Sequence, residues 1–167
     1  MNKLKPSYWE LSSSLINSLN VNSIEYCHWK SNINVEKAMS GFDDLDLLIS
    51  RNHFNRCQII LSELGFKEAL NSIQNIHSVR HYYGFDQLTG EILHVHLYVS
   101  IITGPSWTKG YTFSIEQEYL SSSTLNDNLK IRLPQKEYEL ALFLIRICLK
   151  YSSLLEAPLV VFSRKSI

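Results

Sequence analysis

The sequence predicts an α+β domain (mixed α/β), a small mixed β-sheet with helices packed on one face. Three observations predict it. Two segments, "DLDLLIS" (44–50) and "EILHVHLYVSII" (91–102), alternate between faces with the strand period of two. Two others, "NHFNRCQIILSELGF" and "LPQKEYELALFLIRICLK", carry apolar stripes at helical spacing. Strand and helix signals also interleave along the chain instead of segregating. The 167 residues fit one domain. It is expected to span 1–150, with 151–167 as a C-terminal tail or linker leading to a further domain.

The elements follow in order. "PSYWELSSSLINSLN" sets Tyr8, Leu11, Leu15, Ile16 and Leu19 on one helical stripe. "IEYCHWKS" (24–31) is β-branched and aromatic, and predicts a strand. "NINVEKAMSG" predicts a short helical or loop piece closed by Gly41. The strand 44–50 comes next. A helix follows with Asn52 as its expected cap, Phe54, Cys57, Ile60, Leu61 and Leu64 as its stripe, and Gly65 as its stop. "FKEALN" predicts a third strand or an irregular edge. "HSVRHYYGFD", "QLTG" and "EILHVHLYVSII" predict a hairpin. "GPSWTKG" is a loop, and 111–130 is polar and unassigned. The last helix begins near Pro134.

Composition excludes some functions. Lysine plus arginine equals aspartate plus glutamate, 16 each, so there is no basic surface to neutralise DNA phosphates. No segment has the length and apolarity of a membrane span, and the N-terminal residues lack a signal-peptide apolar run. Cys27, Cys57 and Cys148 are far apart in apolar patterns and are expected to be buried thiols in the reducing cytoplasm.

The aspartates of "GFDDLDLLIS" carry the chemistry. Strand parity puts Asp44, Asp46 and Leu48 on one face, and Leu45, Leu47 and Ile49 on the other. Neighbouring carboxylates repel each other, and a shared divalent cation resolves that repulsion. Mg2+ suits two carboxylates, waters and substrate phosphates. The plain alternative is a solvated strand start with acidic turn residues.

The stretch "KSN…SGFDDLDLLIS", in its strand–turn–short helix–strand context, resembles the core of the polymerase-β-like nucleotidyltransferase superfamily, and within it the small uncharacterised nucleotidyltransferase-like domains. The resemblance covers roughly residues 24–102. It implies that Asp44 and Asp46 are catalytic and hold Mg2+ for a nucleoside triphosphate. It also implies that Lys30, Ser31, Asn32 and Gly41 lie at the nucleotide. Two departures stand out. Lys30-Ser31-Asn32 replaces the usual Gly-Ser turn. The strand expected to supply a third carboxylate offers His94 and His96 instead. His96 then stands where a catalytic group is expected, as a general base near neutral pH, and His94 as a metal ligand.

Four of the six histidines, His77, His81, His94 and His96, fall in the hairpin. HxH on a strand suits zinc, and with Asp44 and Asp46 it suggests a Zn2+ or Mn2+ hydrolase. Half-buried structural histidines are the plain alternative. Three readings follow. The first is a nucleotidyltransferase acting on a small-molecule, sugar or protein acceptor. The second is a catalytically eroded binding or regulatory module of a longer protein. The third is a metal-dependent hydrolase. None of them involves DNA or a membrane.

Overall fold

The computed structural model describes residues 9–70, 79–104 and 110–150. Helix α1 (Glu10–Val21) leads into β1 (Tyr26–His28), a 3-10 turn at Asn32–Asn34 and the short α2 (Val35–Met39). Strand β2 (Leu45–Ile49), a second 3-10 turn at Arg51–His53 and α3 (Phe54–Glu63) follow. Strands β3 (Lys67–Ala69), β4 (Val79–Asp86) and β5 (Glu91–Tyr98) complete a five-stranded mixed sheet ordered β1-β2-β5-β4-β3. Only the β2–β5 pair is parallel within that sheet. Two small hairpins join on: β6 (Ile101–Thr103) with β7 (Tyr111–Phe113), and β8 (Thr124–Leu125) with β9 (Arg132–Leu133). Helices α4 (Glu116–Ser121) and α5 (Lys136–Lys150) flank the second hairpin.

One face of the sheet is apolar. Leu45, Leu47 and Ile49 of β2 and Leu93, Val95 and Leu97 of β5 are buried in a core with Leu15, Ile16 and Leu19 of α1 and Cys57, Ile60 and Leu61 of α3. The helices are not confined to that face, as the sequence had suggested. Leu48 and Tyr98 point the other way and join a second core with Trp29, Tyr119 and Leu120 of α4, and Leu142 of α5. The polar stretch around 116–121 conceals this extra helix, because only two of its six residues are buried. The second core covers the sheet at the C-terminal ends of β2 and β5. Their N-terminal ends, on the same face, are left to polar side chains.

Local chemistry explains the boundaries. α3 ends in a Schellman motif: Phe66 N–H donates to Leu61 O at 2.9 Å and Gly65 N–H to Ser62 O at 3.0 Å, with Gly65 at φ +84°. Asn52 does not cap this helix. It sits inside the 3-10 turn, and the capping position falls to His53, which makes no side-chain cap bond. α1 also lacks a local cap, since Trp9 makes no side-chain cap bond. Its Leu11 N–H instead donates to Asp86 Oδ2 at 2.9 Å, across 75 residues. Asp86 Oδ1 meanwhile accepts from the backbone of Leu88 and Thr89 and from the Thr89 hydroxyl. One buried carboxylate therefore closes the β4–β5 turn and caps α1.

Cys27 and Cys57 are buried, as expected, but Cys148 is exposed. Of the described side chains of α5, Leu142 alone is buried, and the apolar Leu140, Phe143 and Leu144 remain exposed. The apolar pattern of α5 therefore does not report burial for Cys148. The expectations for Tyr8, His77, the loop 105–109 and the tail 151–167 lie outside the described residues.

Candidate metal centre and adjoining cleft

The parallel pairing of β2 with β5 sets Asp46 opposite His96. Parity then puts Asp44, Asp46, His94 and His96 on the face not used by the first core. His94 Nδ1 lies 2.8 Å from Asp44 Oδ1, and His96 Nδ1 lies 3.0 Å from Asp46 Oδ1 and 3.7 Å from Asp44 Oδ2. An ionised carboxylate only accepts, so these contacts assign N–H to both Nδ1 atoms and leave Nε2 as the lone-pair nitrogen when the ring is neutral.

On the other side of β5, His81 of β4 is the cross-strand partner of His96. His81 Nδ1 lies 3.2 Å from His94 Nε2. The His94 and His96 rings meet edge to face at 4.1 Å between centroids, and His81 and His96 at 4.5 Å. Tyr83 stacks on His94 at 4.2 Å, tilted by 8°.

Lys30 reaches this row because β1 stops at His28. The Trp29 N–H still bonds to Asp46 O at 3.2 Å, but Ser31 turns into the left-handed region at φ +52°. Strand parity is lost there, and both Trp29 and Lys30 turn toward the second core. The Lys30 ammonium lies 3.4 Å from Asp46 Oδ1, donates to the Tyr98 hydroxyl, and sits 3.9 Å from the Tyr98 ring centroid. Burial alone would raise the Asp46 pKa. The His96 hydrogen bond and the Lys30 charge outweigh it and hold the carboxyl down to about 2. Burial and the neighbouring His96 push His94 below its ordinary value, against the pull of Asp44. Its ring is thereby favoured in the neutral, ligand-competent form.

A cleft of about 1110 Å³ opens beside Lys30, between the 29–34 stretch and α5. Its walls include Ser31, Asn32 and Ile33 on one side and Lys136, Phe143 and Arg146 on the other. Trp29 also lines it and carries a buried indole N–H with no hydrogen-bond partner among the described residues. Asn32 is held at its edge, with Oδ1 2.6 Å from His28 Nδ1. Burial keeps His28 below its ordinary pKa, so the neutral ring donates this bond.

Of the residues singled out from the sequence, Asp44, Asp46, His94, His96 and Lys30 come together, and Ser31 and Asn32 line the adjoining cleft. Gly41 is engaged elsewhere. At φ +68°, any Cβ added to it would meet the Trp9 ring at 2.0 Å, so a packing contact accounts for this glycine. Sequence reasoning missed Tyr98 and the α5 residues Lys136 and Arg146. Tyr98 does share the parity of His94 and His96, a signal that was available. Comparison of the chain with protein-family models, curated proteins and solved structures finds no match.

Proposed function

We propose that this chain binds a nucleoside triphosphate with Mg2+ and transfers the nucleoside monophosphate to an acceptor hydroxyl. The supporting observation is a junction: Lys30 pairs with Asp46 and also lines the cleft. A cation site and a ligand-sized cavity therefore share one charged side chain. The donor set fits Mg2+, since Asp44 and Asp46 bring oxygens from one face of one strand and each carboxylate has a second oxygen beyond the one facing its histidine. Bound there, the ion would neutralise phosphoryl charge.

The chain's own residues have separable tasks. Lys30, Lys136 and Arg146 supply positive charge for the triphosphate, and Ser31 and Asn32 supply hydrogen bonds. Ile33 and Phe143, both largely exposed, offer apolar surface to the base. His96 is oriented by Asp46 so that Nε2 can take the acceptor proton. The acceptor oxygen bonds to the α-phosphorus, the bond from that phosphorus to the bridging oxygen breaks, and pyrophosphate leaves with the electron pair. The acceptor class is a small molecule, a sugar or a protein side chain.

A second reading, a His/Asp metal-dependent hydrolase, is favoured by the closeness of His81, His94 and His96. There water replaces the acceptor. Calorimetric titration of the four ribonucleoside triphosphates with Mg2+ tests the proposal. Binding that requires Mg2+ and falls by at least about 100-fold in Asp44→Asn/Asp46→Asn is expected. A folded wild-type chain that binds none of the four would sink it and leave the eroded-module reading. Monophosphate release without an acceptor would favour the hydrolase.

A further inference from the structure

We infer that His81, His94 and His96 form a binding site for one transition-metal ion of the Zn2+ class, with Asp44 and Asp46 orienting its imidazole ligands. Three features of the geometry converge on it. The ligand atoms of the three histidines all lie within 4.8 Å of one another. His81 Nδ1 and His94 Nε2 are 3.2 Å apart. Two nitrogens bound to one tetrahedral ion at 2.0–2.1 Å are about 3.3 Å apart, so this pair already has the spacing of shared ligands. Finally, the second nitrogen of both His94 and His96 faces a carboxylate, at 2.8 and 3.0 Å. Carboxylate–imidazole–metal relays of this kind fix the tautomer and raise the basicity of the ligand.

Two adjacent, directly paired strands carry the three ligands. His94 and His96 are two apart on β5, and His81 lies directly across from His96 on β4. All three are only partly buried, so the fourth position of a tetrahedral ion would face solvent, as in catalytic zinc centres. Donor chemistry also separates this site from the Mg2+ site proposed above. Imidazole nitrogen selects zinc-class ions, whereas Mg2+ prefers carboxylate oxygen and water. With an ion at the triad, His96 Nε2 becomes a ligand, and the bound ion takes over acidifying the acceptor hydroxyl or a water. The inference thus goes beyond the nucleotidyl-transfer reading and supplies what stands in for a third carboxylate.

The test titrates chelator-stripped chain with Co2+, followed by visible absorption. One ion per chain, a tetrahedral d–d band and displacement by Zn2+ are expected. Asp44→Asn and Asp46→Asn should each weaken Co2+ binding by about 10–100-fold. His81→Gln and His96→Gln should abolish the band, with circular dichroism confirming that each variant is folded. A folded wild-type chain without the band, or a band unchanged in folded His81→Gln, overturns the inference. Nucleotide titration with Mg2+ on the wild type is a separate readout. Nucleotide binding without a Co2+ site removes this inference alone, and a Co2+ site without nucleotide binding removes the nucleotidyl-transfer reading alone.

Discussion

The two faces of the β2–β5 pair share one backbone and carry opposite chemistries. On the inner face Leu45, Leu47, Leu93, Val95 and Leu97 have no exposed surface. On the outer face Asp44, Asp46, His94 and His96 form a partly open polar row of two hydrogen-bonded pairs, His94 with Asp44 and His96 with Asp46. Burial of apolar side chains stabilises by about 1.5–3 kcal/mol each, whereas partly buried charges must be offset by partners merely to break even. The two faces divide the labour. The inner face anchors the strands firmly enough that the outer face can hold carboxylates and imidazoles in an arrangement with little stability of its own.

Substitutions at three positions test this division, in descending order of effect. Leu47→Ala on the inner face should cost about 3 kcal/mol, read by urea unfolding. Loss of less than 1 kcal/mol would mean that the inner face is not the anchor.

Asp86 is the intermediate case, a buried carboxylate whose partners are backbone donors and one hydroxyl. Asp86→Ala should cost about 2 kcal/mol, because it removes a cap and takes the shared acceptor from the Leu11, Leu88 and Thr89 N–H groups. Burial alone would raise its carboxyl pKa, but the Leu11, Leu88 and Thr89 donors hold it below the ordinary value. The folded value therefore lies below the unfolded one. The stabilisation is complete above about pH 5 and is lost as pH falls through the folded value. Asp86→Asn should accordingly flatten the acid limb of a stability–pH curve, and an unchanged limb would refute this assignment.

Asp44, 45% exposed on its side chain, should behave in the opposite way. Asp44→Asn should leave the metal-free chain within about 0.5 kcal/mol of wild type, by thermal melt. A large loss would make the outer row structural after all.

Much of this arrangement was legible in the residues. Parity alone put Asp44 with Asp46 and His94 with His96, and the element order through β5 follows from periodicity and turn chemistry. The meeting of the two pairs was not legible. It depends on β2 pairing in parallel with β5, roughly 50 residues on, and the pattern of one strand does not name its neighbour. Lys30 was placed by resemblance, at the nucleotide; its route to Asp46 breaks strand parity where β1 stops and Ser31 takes a left-handed conformation that a serine does not announce. The second core went unread because α4 is short and largely polar on its surface. Asp86 carried no sequence signal as a helix cap, since half of its role lies at the far end of the chain in Leu11.

That link to Leu11 also orders events in time. A 12-residue helix is marginal alone, and α1 has no cap of its own at Trp9. Its first turn is completed only when the turn after β4 arrives. In a chain emerging N-terminus first, α1 must therefore wait for some 75 further residues before its frayed end can be closed. Helix and hairpin are expected to consolidate in one step, with the sheet's polar row assembling in the same event that locks the first helix.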